Sequence, residues 1–374
     1  MTVGLYAGTF DPITNGHLWM IKEAASLFDK VVVVVADNPE KRGTVKFDLN
    51  ERVGMVKQSI DQVSGLTVLP YAEEFSPEYT VSLALSVGAT HVVRGIRNEA
   101  DFCHEQAIRH VNQDICPQIK TVFMIPPRHI AEISSSMVKS LVGFRGWRDV
   151  ISRYVQPCVV KMFQADRMGP SEVMLRLGAS LQDAVSARTY LEKAYGKMGY
   201  HTDCHIRECL KLMRHLTYDP AISPQSFDEM AAAIWFHDAV YDPRKNTNEK
   251  HSSAEFFGRF SCSIHSQTVQ NVEDMILATR DHVSGMVNYP AELVSDIDMA
   301  ILGAEEKEFR AYESGIRFEY MHVPPETFYS VRGGFLRKWL EDGVFHTKLF
   351  KDMLGEKAKA NLSRLLATKE YSQG

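Results

Sequence analysis

Two rhythms of apolar positions divide the chain. Over residues 1–165, short apolar runs alternate with stretches whose apolar residues recur every three or four places. The runs VGLYAG (3–8), KVVVVVADN (30–38), LTVLPY (66–71), ATHVVRG (89–95) and KTVFMIPP (120–127) read as strands. The unbroken valines of the second mark a strand buried on both faces. GHLWMIKEAASLF (16–28) has helical spacing. Strand–helix–strand repetition predicts an α/β domain with a doubly wound, Rossmann-like parallel sheet, whose ligands bind beyond the carboxyl ends of the strands.

From about residue 171 to 374 the strand pattern disappears, and helical spacing takes over. SLQDAVSARTYLEKAYGK (180–197), CHIRECLKLMRHL (204–216), FDEMAAAIWFHDAV (227–240), VQNVEDMILATRDHV (269–283) and GGFLRKWLEDGVF (333–345) read as helices. An all-α second domain is expected, with the break near residues 163–171 and Gly169-Pro170 as its punctuation.

Composition narrows the function classes. The chain is 45% hydrophobic and 24% charged, with a formal net charge of −5. That balance is ordinary for a globular protein and gives no electrostatic reason to expect nucleic acid or an anionic membrane as partner. The start, MTVGLYAGTF, lacks a basic segment followed by an apolar one, and the six cysteines form no C-x-x-C pair. A cytoplasmic protein with free thiols is the expectation. Five of the fourteen histidines precede residue 130 and nine lie between His201 and His346, so the halves differ in chemistry.

AGTFDPITNGH joins the first strand to the first helix without a Walker loop. Gly8 permits a sharp turn, Gly16 a close backbone approach to a ligand, and His17 falls in the first helical turn, where an anion is favoured. Lys41 or Arg42 follows the second strand, Arg94 and Arg97 flank Gly95 after another, and Ser134, Ser135 and Ser136 open a helix after a third. Each alone is a surface charge or a cap. Four strand ends with phosphate-binding groups point to a phosphorylated ligand.

GTFDPITNGH, RGIR…DFCHE and ISSSMVK resemble, in order and spacing, the signature segments of bacterial phosphopantetheine adenylyltransferases, over roughly residues 1–163. The resemblance implies transfer of the adenylyl group of ATP to 4′-phosphopantetheine with Mg2+, giving dephospho-CoA and pyrophosphate in coenzyme A synthesis, and a homo-oligomer. It assigns catalysis to His17, Lys41 and Arg94, and the pantetheine phosphate arm to Thr9, Lys41, Thr80 and Arg94. ATP would be held by Thr9, Phe10, His17, Gly95, Ile96, Arg97, Glu105, Ile130, Ser134, Ser135 and Ser136. His104 stands where the family usually has tyrosine, and residues 72–88 depart from its usual sequence. Adenylyl or cytidylyl transfer to another phosphorylated small molecule is the alternative.

In the second half, His237 and Asp238 are adjacent within an apparently helical run, so their side chains would diverge by about 100°. His205 lies at the edge of an apolar stripe in the first turn of its helix. Of two nearby acids, Asp298 has apolar residues four places either side and Asp296 does not; the pair would not both face inward. His205, His237, Asp238 and Asp298 form an H…HD…D order that resembles the HD superfamily of metal-dependent phosphohydrolases. More narrowly, residues 172–368 resemble a subgroup whose substrate is unassigned. The resemblance implies a divalent metal and a substrate that is a phosphorylated small molecule or nucleotide. Arg317, Arg280 or Arg244 would clamp its phosphate, and Glu249 or His282 would handle protons. A non-catalytic, metal-stabilised regulatory module is the alternative.

Overall fold

A computed structural model describes residues 1–36, 44–71, 79–196, 199–280 and 288–372. The chain forms two compact units, Met1–Phe163 with Tyr218–Pro220, and Gln164–Thr217 with Ala221–Gly374.

The first unit is built on five parallel strands: β1 Val3–Gly8, β2 Lys30–Ala36, β3 Leu66–Tyr71, β4 His91–Gly95 and β5 Lys120–Met124. Their order is β3-β2-β1-β4-β5. The valines of β2 alternate between two cores. Val31, Val33 and Val35 pack with Ile21, Ala24 and Met55, while Val32 and Val34 pack with Leu5, Val81 and Val92. Each buried valine contributes on the order of 1.5 kcal/mol, which is why neither face tolerates a polar residue. The chain winds outward from β1 in one direction through β2 and β3, then crosses to the other side for β4 and β5. The direction of winding reverses between β1 and β4, so a crevice opens at their carboxyl ends.

The second unit contains no strand among its described residues. The helix Pro224–Phe236 runs through its centre, and every residue from Phe227 to Phe236 is buried. Ser223 caps its start and Pro224 occupies the first turn. The two acids on it are satisfied: Asp228 pairs with Arg176 at 2.9 Å, and Glu229 accepts from Gln225 and Asn271.

Several helix boundaries differ from the sequence pattern, and two of them change the reading. The apolar run 227–240 leaves the helix after Phe236, where the Ala239 amide closes a tight turn onto the Phe236 carbonyl at 3.1 Å. The glycine pair 333–334 does not start a helix; it lies inside Pro325–Asp342, whose start is set by Pro325.

Candidate functional sites

In the first unit the crevice is framed by the chain leaving β1 and β4. Phe10 adopts φ 48°, a left-handed conformation that costs a phenylalanine about 1 kcal/mol or more. Its buried ring offsets this by packing edge-on against Tyr6 and against His17, with centroids 5.7 and 5.1 Å apart. Gly8 is where that ring fits, since a Cβ there would lie 3.1 Å from it. Gly16 serves the fold as well: a Cβ would meet the Ile133 carbonyl at 3.1 Å, so the close approach is to the chain's own backbone.

Thr14 and His17 form a reciprocal cap on the helix Asn15–Leu27. The Thr14 amide donates to Nδ1 of His17 at 3.1 Å. Because Nδ1 accepts, the neutral ring carries its proton on Nε2, in donor form.

Arg94, at the end of β4, donates from Nη2 to Thr80 Oγ1 at 3.2 Å and pairs with Glu105 at 3.5 Å. Arg94 thus touches two other residues expected to act on substrates. Gly95 and Ile96 follow Arg94, and Arg97 is engaged by Asp101 at 2.7 Å. Ser134 caps the helix Ser135–Leu141 through the Met137 amide, and Ser135 donates to the Pro12 carbonyl at 2.7 Å. Ser136 is in the first turn of that helix, and Ile130 is in the short helix before it. Ser135 thereby ties this segment to the β1 crossover. Lys41 and Arg42 lie outside the described residues, as do residues 72–78 of the divergent segment.

Three residues that the sequence pattern did not single out hold this crevice together. The buried guanidinium of Arg52 donates to the carbonyls of Thr9, Ala36 and Phe47 at 2.8, 2.9 and 3.1 Å. Asp11 accepts from the amides of Lys46 and Phe47, and Lys139 Nζ meets it at 2.6 Å. A charge at position 52 inside the pattern Arg52-Val53, on the core side of a helix, was the available signal.

In the second unit His205, His237, Asp238 and Asp298 come together, with one ligand atom from each lying within 4.8 Å of the others. His237 is the C-cap of the central helix, still in helical conformation, and Asp238 stands in the turn beyond it. Asp298 is the last residue of the helix Tyr289–Asp298. Two helix carboxyl ends, each the negative pole of its dipole, therefore supply donors to one point. His205 Nε2 lies 3.1 Å from Asp298 Oδ1, and His237 Nε2 lies 3.0 Å from Asp238 Oδ2 and 3.3 Å from Asp298 Oδ1.

His237 Nδ1 donates to the Ile234 carbonyl at 2.9 Å, which leaves the Nε2 lone pair facing carboxylate oxygens. Acceptors at such distances need a cation or a proton between them. Burial works against charge on His237, but the carboxylates of Asp238 and Asp298 outweigh it and hold its pKa well above the ordinary value. Burial likewise opposes ionisation of Asp238 and Asp298, and the histidines reverse it, taking Asp238 down to about 2 and Asp298 well below the usual range. Two imidazoles and two carboxylates in this arrangement fit a divalent ion.

Asp296 is buried too, contrary to the expectation that only one of the two acids faces inward. It accepts from the His346 and Thr347 amides and from Thr347 Oγ1 at 2.7, 2.8 and 2.6 Å. A second inward direction exists because the chain entering the helix Lys348–Leu366 packs against that face, which the spacing along one helix does not reveal.

His201 approaches the donors from the loop before the helix Asp203–Leu212. Its Nδ1 bonds Glu319 at 2.8 Å, its ring stacks on Tyr241 at 3.9 Å, and Nε2 lies 3.8 Å from Asp238. Glu319 also accepts from the Tyr200 and His201 amides. Asp238, Asp298 and His201 face a cleft of about 490 Å³, which Glu249 and Arg280 also line. Arg317 is not on that cleft: it donates to the Tyr320 and Val323 carbonyls. Arg244 is exposed, and His282 lies outside the described residues.

The cytidylyltransferase-like family model matches residues 5–141. Phosphopantetheine adenylyltransferase of Chromobacterium violaceum is 46% identical over 163 residues, 43% of this chain and 96% of that protein. The enzyme of that name from Neisseria meningitidis serogroup C is 43% identical, over 43% of this chain and 92% of that protein. Among solved structures, a nicotinic acid mononucleotide adenylyltransferase from Plasmodium falciparum is 16% identical with a TM-score of 0.34, over 44% of this chain and 96% of that one, a likeness too slight to carry weight. With 46% identity along nearly the whole of a curated relative, the chain belongs to the phosphopantetheine adenylyltransferase family.

Proposed function

We propose that the first unit transfers the adenylyl group of ATP to 4′-phosphopantetheine, releasing pyrophosphate and forming dephospho-CoA. The single observation that carries this reading is the identity to phosphopantetheine adenylyltransferases over almost their full length. The crevice chemistry agrees with it. The substrate phosphate attacks the α-phosphorus in line and pyrophosphate leaves, so no protein nucleophile is required. What is required is placement and charge neutralisation. His17, with Nδ1 occupied by the Thr14 amide, presents an Nε2–H donor to the charge that develops on the transferring group. Arg94, steadied by Thr80 and Glu105, offers its guanidinium to the substrate phosphate. Mg2+ accompanies ATP in this scheme, Lys41 joins Thr9 at the pantetheine phosphate, and the active form is a homo-oligomer. Pyrophosphate release from ATP, dependent on 4′-phosphopantetheine, tests the assignment; a full rate without the acceptor would sink it.

The second unit we read as an HD-type metal-dependent phosphohydrolase. Its support is the cluster of His205, His237, Asp238 and Asp298 at a cleft. A divalent ion held by them would supply Lewis-acid activation of water for attack on a phosphate ester. Of the chain's own groups, the Ile234 carbonyl orients His237, and Glu319 holds His201 so that its Nε2 faces Asp238. Metal content and phosphate release of the full chain, compared with Asp238→Ala, test this. Metal retained and phosphate release absent in both would favour the regulatory module instead.

A further inference from the structure

The helix Pro325–Asp342 carries two apolar stripes, one buried in the core and one that meets the core only through Trp339. Phe328 and Leu336 are buried, as a packed helix requires. Val331, Phe335 and Trp339, spaced four residues apart, form a second stripe, yet Val331 and Phe335 are 58% and 52% exposed. This stripe lines the cleft that Asp238, Asp298 and His201 also face. Tyr312 and Ile316, from the helix Glu306–Glu319, line it too. Arg332 sits among these rings, with its guanidinium 5.4 and 5.3 Å from the centroids of Tyr312 and Trp339. Its Nη2 donates to Tyr312 Oη and Glu313 at 2.6 and 2.7 Å, which fixes it there.

We infer that this cleft receives a phosphomonoester with a flat aromatic body, its phosphate at the His–Asp donors and its ring against Phe335, Trp339 and Tyr312. The inference rests on the hydrolase reading for the role of the phosphate, while the ring subsite stands on the lining residues. A cleft of about 490 Å³ is the size that encloses a ring-bearing metabolite and far exceeds what a glycerol phosphate fills. The exposed ring of Phe335 and the half-buried ring of Trp339, on the same cleft as ionic donors, favour a ligand that is apolar at one end and anionic at the other. Ring faces favour a planar partner over a flexible alkyl chain, because stacking adds to simple area burial.

The test separates binding from turnover. Calorimetry on the full chain loaded with Mn2+ would compare phenylphosphonate, octylphosphonate and methylphosphonate, none of which is a phosphate ester. Phenylphosphonate is expected to bind at least ~10-fold tighter than the other two, about the weight of one good aromatic contact. Trp339→Ala and Phe335→Ala should each remove most of that preference while leaving methylphosphonate affinity and metal content unchanged. Equal affinity for phenyl- and octylphosphonate, or for phenyl- and methylphosphonate, overturns the inference. Phosphate release from phenyl phosphate, glycerol phosphate and pyrophosphate is then measured on the same preparation. Hydrolysis without a ring preference would refute the substrate class and keep the hydrolase. Selective phenylphosphonate binding without any hydrolysis would refute the hydrolase and keep the ring subsite.

Discussion

Arg52→Met removes the buried fork that joins the chain after β1, the end of β2 and the Phe47 turn. Among the described residues that fork donates to Thr9, Ala36 and Phe47 at 2.8–3.1 Å. Each buried carbonyl left without a donor costs about 1–3 kcal/mol. Against the sum stands the desolvation of a guanidinium that is 1% exposed, which methionine does not require. The net expectation is a loss of about 3–5 kcal/mol, the range seen when one partner of a buried charged contact is removed. Arg52→Lys recovers only part, because an ammonium cannot span three divergent carbonyls. Hydrogen exchange resolves the first unit from the second, so the amides of β1 and β2 report it directly. A loss of 4 kcal/mol lowers the protection of globally exchanging amides by roughly 10³. A fall below ~10-fold would make Arg52 no more than a space-filling group.

Further outcomes follow from other contacts. His17→Ala removes one oriented donor and should lower kcat for pyrophosphate release by about 10²–10³, with a smaller change in KM for ATP; a KM effect alone would place His17 in ground-state binding. Asp298→Ala should abolish binding of a divalent ion in calorimetry. Asp296→Ala should leave metal binding measurable and instead destabilise the second unit by about 2–4 kcal/mol, since three donors lose their acceptor. Burial lowers the Lys161 pKa from 10.5 to about 8, against the pull of Asp219, whose carbonyl it meets at 2.5 Å. A folded pKa below the unfolded one means the unfolded chain holds more protons between about pH 8 and 10.5, so stability rises with pH across that window. Urea unfolding of wild type and Lys161→Met should show the variant's relative stability greatest below pH 8 and falling toward pH 10.5.

The first unit was the more legible because each strand is a short apolar run and each candidate phosphate-binding group follows one. β2 announces its two buried faces in five consecutive valines. What joins the strand ends was not legible. Asp11 reaches Phe47 across 36 residues and Lys139 across 128, and Arg52 reaches Thr9 across 43; no local pattern reports such contacts. In the second unit, His205, His237, Asp238 and Asp298 were found by their order and by the apolar positions around them. Their surroundings were partly misread: the helix was extended through Asp238, and Asp296 was turned outward. Both errors come from treating one helix as isolated, when a turn at Phe236 and the arriving Thr347 segment decide the directions. The cleft's apolar stripe escaped for a similar reason, since periodicity marks apolar faces without saying which of them the core covers.

The most direct test of the central assignment is formation of dephospho-CoA by the full chain from ATP, Mg2+ and 4′-phosphopantetheine, followed by mass spectrometry and repeated with His17→Ala. The wild-type chain should give stoichiometric dephospho-CoA and pyrophosphate, and the variant a rate about 10²–10³ lower. Dephospho-CoA absent from the wild-type reaction, or formed as fast by His17→Ala, would contradict that assignment.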